Sequence, residues 1–154
     1  MFIEEYNKNG YQIYGNYQFH KVAPDLFLGA YSEDGVLMGF ITSTIVHGPL
    51  TEEGMEFVHF EEGDNICIHS VCVDRTFWRQ GVGSQMLNHY VGRMKTKFAS
   101  KNDTVESLNS AKKKISLICK EHLVGFYEAC GFKEIGISSV CHGADSWIDM
   151  ILEI

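Results

Sequence analysis

The residue pattern predicts a single α/β domain over residues 1–154, a sandwich of mixed strand direction, and three observations carry it. Two β-branched apolar runs flank a short turn in the first third of the chain. A third such run, "ICIHSVCV", passes through a glycine turn into a stretch with helical period. The apolar segments after it alternate as strand, short helix, strand and strand, which completes the order β-β-connection-β-α-β-α-β-β.

Taken along the chain, "DLFLGAY" and "GVLMGFITSTIVHG" are strands joined through "SEDG", so they are expected to pair antiparallel. "PLTEEGMEFVHFEEGDN" is acidic and carries Gly54 and Gly63, which predicts a connection with one short helical turn. Strict alternation along "ICIHSVCV" puts Cys67, His69, Val71 and Val73 on one face and Ile66, Ile68, Ser70 and Cys72 on the other. Met86, Leu87, Tyr90, Val91, Met94 and Phe98 recur at helical spacing and mark a core-facing stripe. "ASKNDTVESLNSAKKK" is polar and aperiodic, an exposed connection into the buried strand "ISLIC". "EHLVGFYEAC" is a short helix ended by Gly131, and "FKEIGISSVC" and "SWIDMILEI" are strands around the turn "HGAD".

Composition excludes several classes of function. The chain has 154 residues, 45% of them hydrophobic and 21% charged, and no run approaching the roughly 20 apolar residues of a membrane span. No basic start and apolar run mark a signal peptide, so a cytoplasmic protein with no membrane partner is expected. Five cysteines, an odd number placed mostly in strand-like runs, read as reduced thiols rather than a disulfide framework. A formal net charge of −7 opposes nucleic acid as a partner and mildly favours a cationic one. Cys67, His69 and Cys72 are ligands by type, but alternation parts Cys72 from the others and no C-x-x-C exists, so no metal is expected.

The stretch "WRQGVGSQML" concentrates the chemistry. Glycines between a strand and a helix let the backbone approach a ligand closely, and the first turn of the helix offers unpaired amides at a positive dipole end. That combination suits a pyrophosphate. The P-loop and the dinucleotide fingerprint both fail to match, because Gly-Lys-Ser/Thr and a third glycine are lacking.

These residues resemble the GCN5-related N-acetyltransferases, and within them the arylalkylamine (serotonin) N-acetyltransferases. The resemblance runs from "PDLFLGAYSEDGVLMGFI" through "LTEEGM", "IHSVCVDRTFWRQGVGSQML" and "ISLICKEHLVGFYEACGFKEIG" to the final strands. It implies a mostly antiparallel sheet flanked by helices and a single acetyltransferase domain. Acetyl-CoA is implied as cosubstrate, bound by Val71 and Val73 and by Arg79, Gln80, Gly81, Val82, Gly83 and Ser84. Trp78 stands where the family has Gln or Arg. The implied reaction is direct acetyl transfer to a primary amine, an arylalkylamine or a di- or polyamine. A peptide N-terminus or lysine as acceptor, and a domain that binds acetyl-CoA with weakened catalysis, are the alternatives. The resemblance assigns His69 as general base and Tyr127 as proton donor to the leaving thiolate, and Cys67 replaces the first of the family's two histidines. The acidic run from Glu52 to Asp64 either gathers a cationic amine or is a solvated loop, and Lys112, Lys113 and Lys114 either meet CoA phosphates or are solvated.

Against the family pattern, the N-terminal part is expected to be shortened. The family's first strand is expected to be missing, and "YQIYGNYQFHKV" supplies at most one helix. An unpaired edge then calls for cover, for which a homodimer is the expected partner.

Overall fold

The computed structural model describes residues 2–4, 23–55, 58–99, 113–140 and 144–154. Seven strands form one sheet: β1 (Phe2–Glu4), β2 (Leu28–Tyr31), β3 (Leu37–Val46), β4 (Asn65–Val73), β5 (Lys114–Cys119), β6 (Lys133–Ile137) and β7 (Ile148–Glu153). Their order across the sheet is β1-β2-β3-β4-β5-β7-β6, and every neighbouring pair is antiparallel except β4 with β5. That parallel pair requires a crossover, which helix α1 (Val82–Ala99) provides. Helix α2 (Val124–Ala129) follows β5 after a 3-10 turn and is ended at Gly131, whose φ of 92° only a residue without Cβ adopts freely. The expected strands and helices are thus present, with the β2–β3 turn closed by Ser32 and Gly35. The predicted connection around "TEEGM" forms a 3-10 turn at Glu53–Met55. The polar stretch 100–112, "YQIYGNYQFHKV" up to Val22, and Cys141 to Gly143 lie outside the described residues.

Apolar residues of α1 build the core. Met86, Leu87, Tyr90 and Met94 are wholly buried, with Val91 and Phe98 nearly so, against Leu28, Ile41, Ile66, Ile115, Leu117 and Met150. Each such Leu, Ile or Met contributes roughly 1.5–3 kcal/mol by leaving water. The Tyr90 hydroxyl meets Ser43 across the interface, so the aromatic ring is buried without orphaning its polar end. Arg93 bonds the carbonyls of Asp25 and Phe27 and ties α1 to the turn before β2.

Two expectations need correction, and one open alternative is narrowed. The first strand is present: Phe2, Ile3 and Glu4 pair with Tyr31, Ala30 and Gly29, so the outer edge of β2 is covered by the chain itself rather than calling for a second subunit. Strict alternation along β4 also fails. Thr42 pairs with Ser70 while Ser43 pairs with Ile68, so His69 is an extra residue in a β-bulge. A bulge shifts the parity of the residues beyond it. Val71 and Val73 therefore pack with Ile66 and Ile68 in the core under α1, whereas Cys67 belongs to a second cluster with Val46, Leu50, Met55 and Ile118. Finally, Lys114 pairs with Asn65 at the start of β4, and the glycine turn lies beyond its end at Val73. Lys113 and Lys114 are thus at the opposite end of the sheet from a phosphate on that turn, and the Lys113 ammonium instead bonds the Gly63 carbonyl at 3.1 Å.

Candidate active site

β4 and β5 pair only over Asn65–Cys67 with Lys114–Ser116. β4 continues to Val73 and β5 to Cys119. Past Cys67 the two strands part, and the facing backbone edge of β4 is left without a strand partner. An opening of this kind accepts an extended chain that bonds to the strand backbone.

The glycine turn lies at the end of the same strand. Asp74 caps the 3-10 turn at Arg75–Phe77 by accepting from the Thr76 amide, and Arg79 and Gly81 then have φ of 63° and 78°. Left-handed residues alternating with ordinary ones aim successive amides into one concavity. The first intrahelical donor of α1 is Gln85, bonded to Gly81 O at 3.0 Å, so the amides just before it have no partner within the helix. Its first turn holds no acidic side chain to occupy the dipole end. Gly83 fits against Phe126 and Val73, where a Cβ would already touch the Phe126 ring at 3.4 Å. Gln80 turns its amide back onto Thr76 O, so its side chain is engaged within the turn. Trp78 is 56% exposed, yet its indole N–H donates to Val73 O at 2.7 Å and Arg75 lies over its ring. The end of β4 is thereby clamped to the start of the turn by a side chain the family pattern does not have.

Around the bulge, the fold brings together two of the residues singled out in the sequence. Cys67 Sγ is 4.0 Å from His69 Nδ1 and 3.3 Å from Met55 Sδ. His69 Nε2 is 2.7 Å from Thr44 Oγ1 on β3. A bond to the Met55 backbone favours the protonated ring, so the ring donates there, which leaves Nε2 to accept from the Thr44 hydroxyl. Burial nonetheless dominates and pushes His69 down to about 4. The imidazole is neutral at physiological pH. Burial also pushes the Cys67 thiol up to about 12, so it stays protonated. Thr44 and Met55 are the participants sequence reasoning missed. Their signal is the β3–β4 register and the fold-back of the 53–55 turn, neither of which is local in sequence.

Tyr127 occupies the other side of the opening. It is 7% exposed, in edge contact with Phe126 and Phe132. Burial, then the neighbouring Cys119, Cys72 and Cys130 thiols, holds its phenol above the usual range. Cys72 lies on β4 and Cys119 ends β5, so Tyr127 sits where the two strands part. Cys67, Cys72, Cys119 and Cys130 are free thiols. Among the described residues, no group of three His, Cys, Asp or Glu is placed to hold a metal ion, and no helix is long and apolar enough to cross a membrane.

Comparison with known proteins agrees with the fold described above. Serotonin N-acetyltransferase of Mesocricetus auratus is 29% identical over 133 residues, which is 86% of this chain and 58% of that protein, so the chain spans well under two thirds of the length of that relative. Among solved structures, a GNAT-like decarboxylase, GphF, in complex with isobutyryl-CoA superposes with a TM-score of 0.68 at 13% identity, covering 88% of this chain and 82% of its own. The NatC complex bound to Gag peptide and CoA gives 0.65 at 14% identity over 96% and 83%. These similarities in structure are similarities of fold. The acetyltransferase (GNAT) family matches over residues 1–132, and a strand pair that parts beside a glycine turn is present within that span; the chain belongs to this family.

Proposed function

We propose that the protein transfers an acetyl group from acetyl-CoA to a primary amine, an arylalkylamine or a di- or polyamine, by direct attack. One observation carries the reading: a neutral, hydrogen-bonded His69 stands beside the opening between β4 and β5, and the anion-suited turn Arg79–Ser84 lies at the end of the same strand. The turn amides suit the pyrophosphate, and the free edge of β4 near Val71 and Val73 suits the extended arm of CoA.

Chemistry then follows from what each group can do. An alkylammonium near pKa ~10 must lose a proton before its nitrogen can attack. The Nε2 lone pair of His69 faces the Thr44 hydroxyl, so the proton passes to it through that hydroxyl or a water in its place. The amine nitrogen bonds to the thioester carbon, the C–S bond breaks, the departing thiolate takes the Tyr127 phenol proton, and the second proton shed by the nitrogen as the amide forms restores the phenol through water. A phenol held above its usual range is fully protonated when needed. Cys67, neutral and wholly buried, packs beside the base and neither accepts a proton nor acts as nucleophile. A cytosolic site of action fits reduced thiols and an acetyl-CoA supply.

The test is release of free CoA thiol from acetyl-CoA with and without a panel of alkyl, arylalkyl and diamines, with the products weighed by mass spectrometry. Amine-dependent release with matching N-acetylamine is expected. Tight CoA binding with no amine-dependent release would reduce the protein to a CoA-binding domain.

A further inference from the structure

We infer that the acceptor is a diamine or polyamine whose second ammonium is held by Asp149 on β7. This rests on the amine-transfer reading above and narrows it. Asp149 is the cross-strand partner of Ile118 on β5, and directly opposed residues point to the same face. Ile118 packs against the cluster of Val46, Leu50, Met55 and Cys67, and Cys67 in turn is beside His69. His69, Ile118 and Asp149 therefore lie on one face of three successive strands, a base and a carboxylate with an apolar residue between them.

The carboxylate is incomplete. Asp149 Oδ1 is buried and has no hydrogen-bond partner among the described residues. Buried acceptors are nearly always satisfied, and one that is not needs an explanation. The next cation along that face, Lys120, is committed to Asp145 and lies 4.0 Å from the Trp147 ring centre. A ligand cation completes the carboxylate better than a neutral hydroxyl or indole N–H, because charge-assisted bonds are about twice as strong as neutral ones. β5 and β7 are paired at Ile118 and Asp149, about 4.8 Å apart, while β4 stands at least that far from β5 once their pairing ends at Cys67. Two spacings less one hydrogen bond of about 3 Å therefore set a lower bound of roughly 7 Å between the two nitrogens. A spacer of four methylenes or more lying over Ile118 spans that gap. The formal charge of −7 and the exposed Glu52 and Glu53 beside Met55 draw a dication toward this face.

The experiment compares kcat/KM for diaminobutane and diaminopentane with that for butylamine, pentylamine and tryptamine, in the wild type, Asp149→Asn and Asp149→Glu. The wild type is expected to prefer the diamines by about 10- to 100-fold, the range of a bond to a charged group. Asp149→Asn should abolish that preference, leave the monoamine rates unchanged and leave the melting temperature unchanged or higher. Asp149→Glu should keep the preference with the optimum one methylene shorter, a shift that decides the matter alone if the Asn variant does not fold. Monoamines or tryptamine acetylated as well as diamines by the wild type, or a diamine preference that survives Asp149→Asn, would overturn the assignment while leaving amine transfer intact. Acetylation of no amine at all would overturn both.

Discussion

A histidine buried as deeply as His69 keeps its neutral form at a cost in acid stability. Its pKa in the fold is about 4 against the usual 6.5, so as pH falls the unfolded chain takes up this proton first. The stability is fully present above about 6.5 and is lost as pH falls toward 4, by about 2 kcal/mol at pH 5. His59 is shifted the same way by burial, so the comparison must isolate His69. Urea unfolding at pH 7 and pH 5 should show the loss in the wild type and a smaller loss in His69→Gln. The same variant should lower kcat/KM by about 10² to 10⁴ at neutral pH, with the defect shrinking as pH nears the amine's own pKa. Tyr127→Phe keeps the edge contacts with Phe126 and Phe132 and removes only the donor. It should lower kcat and kcat/KM about equally and leave CoA affinity unchanged, as measured by single-turnover and binding assays. A variant that binds CoA poorly but turns over normally when saturated would make Tyr127 a core aromatic. The motifs around His69 and Tyr127, whose roles are proposed, were legible from the sequence because each is short and dense. Thr44 and Met55 were not, because their contacts with His69 depend on register and on a distant turn.

Among the elements, β4 shows most clearly where local reading stops. Its strand character follows from β-branched alternation, but the bulge at His69 arises from pairing with β3 and reverses the faces of Val71 and Val73. Three-residue β1 has too short a pattern to be distinguished from coil, and it is specified by the edge it covers. The glycine turn was legible, since Gly81 needs its positive φ, whereas the clamp by Trp78 was not. Trp78→Phe keeps the ring and deletes the N–H to Val73 O, and it should weaken CoA binding by roughly 3- to 10-fold, the worth of one hydrogen bond, with kcat little changed. Gly81→Pro imposes φ near −65°, which the turn does not allow. It should abolish the CoA-dependent rise in melting temperature that mass action gives the wild type. An undiminished rise would mean that the turn does not seat the cofactor.

For the molecule as a whole, the order of strands and helices was readable because hydrophobic period and turn chemistry agree along nearly the entire described chain. The opening between β4 and β5 was not, since nothing in either strand states that their pairing ends at Cys67. In the proposed reaction, that opening lets a base on β4 and an acid on α2 serve a single thioester with both substrates bound together. The thiols argue the same way: Cys67 is pushed up to about 12 and Cys119 to about 11, so neither presents a thiolate to form an acetyl-enzyme. Initial velocities measured while acetyl-CoA and amine are both varied decide this most directly. Intersecting double-reciprocal lines, with no acetylated protein after exposure to acetyl-CoA alone, are the predicted result; parallel lines with a stable acetyl-cysteine would contradict direct transfer.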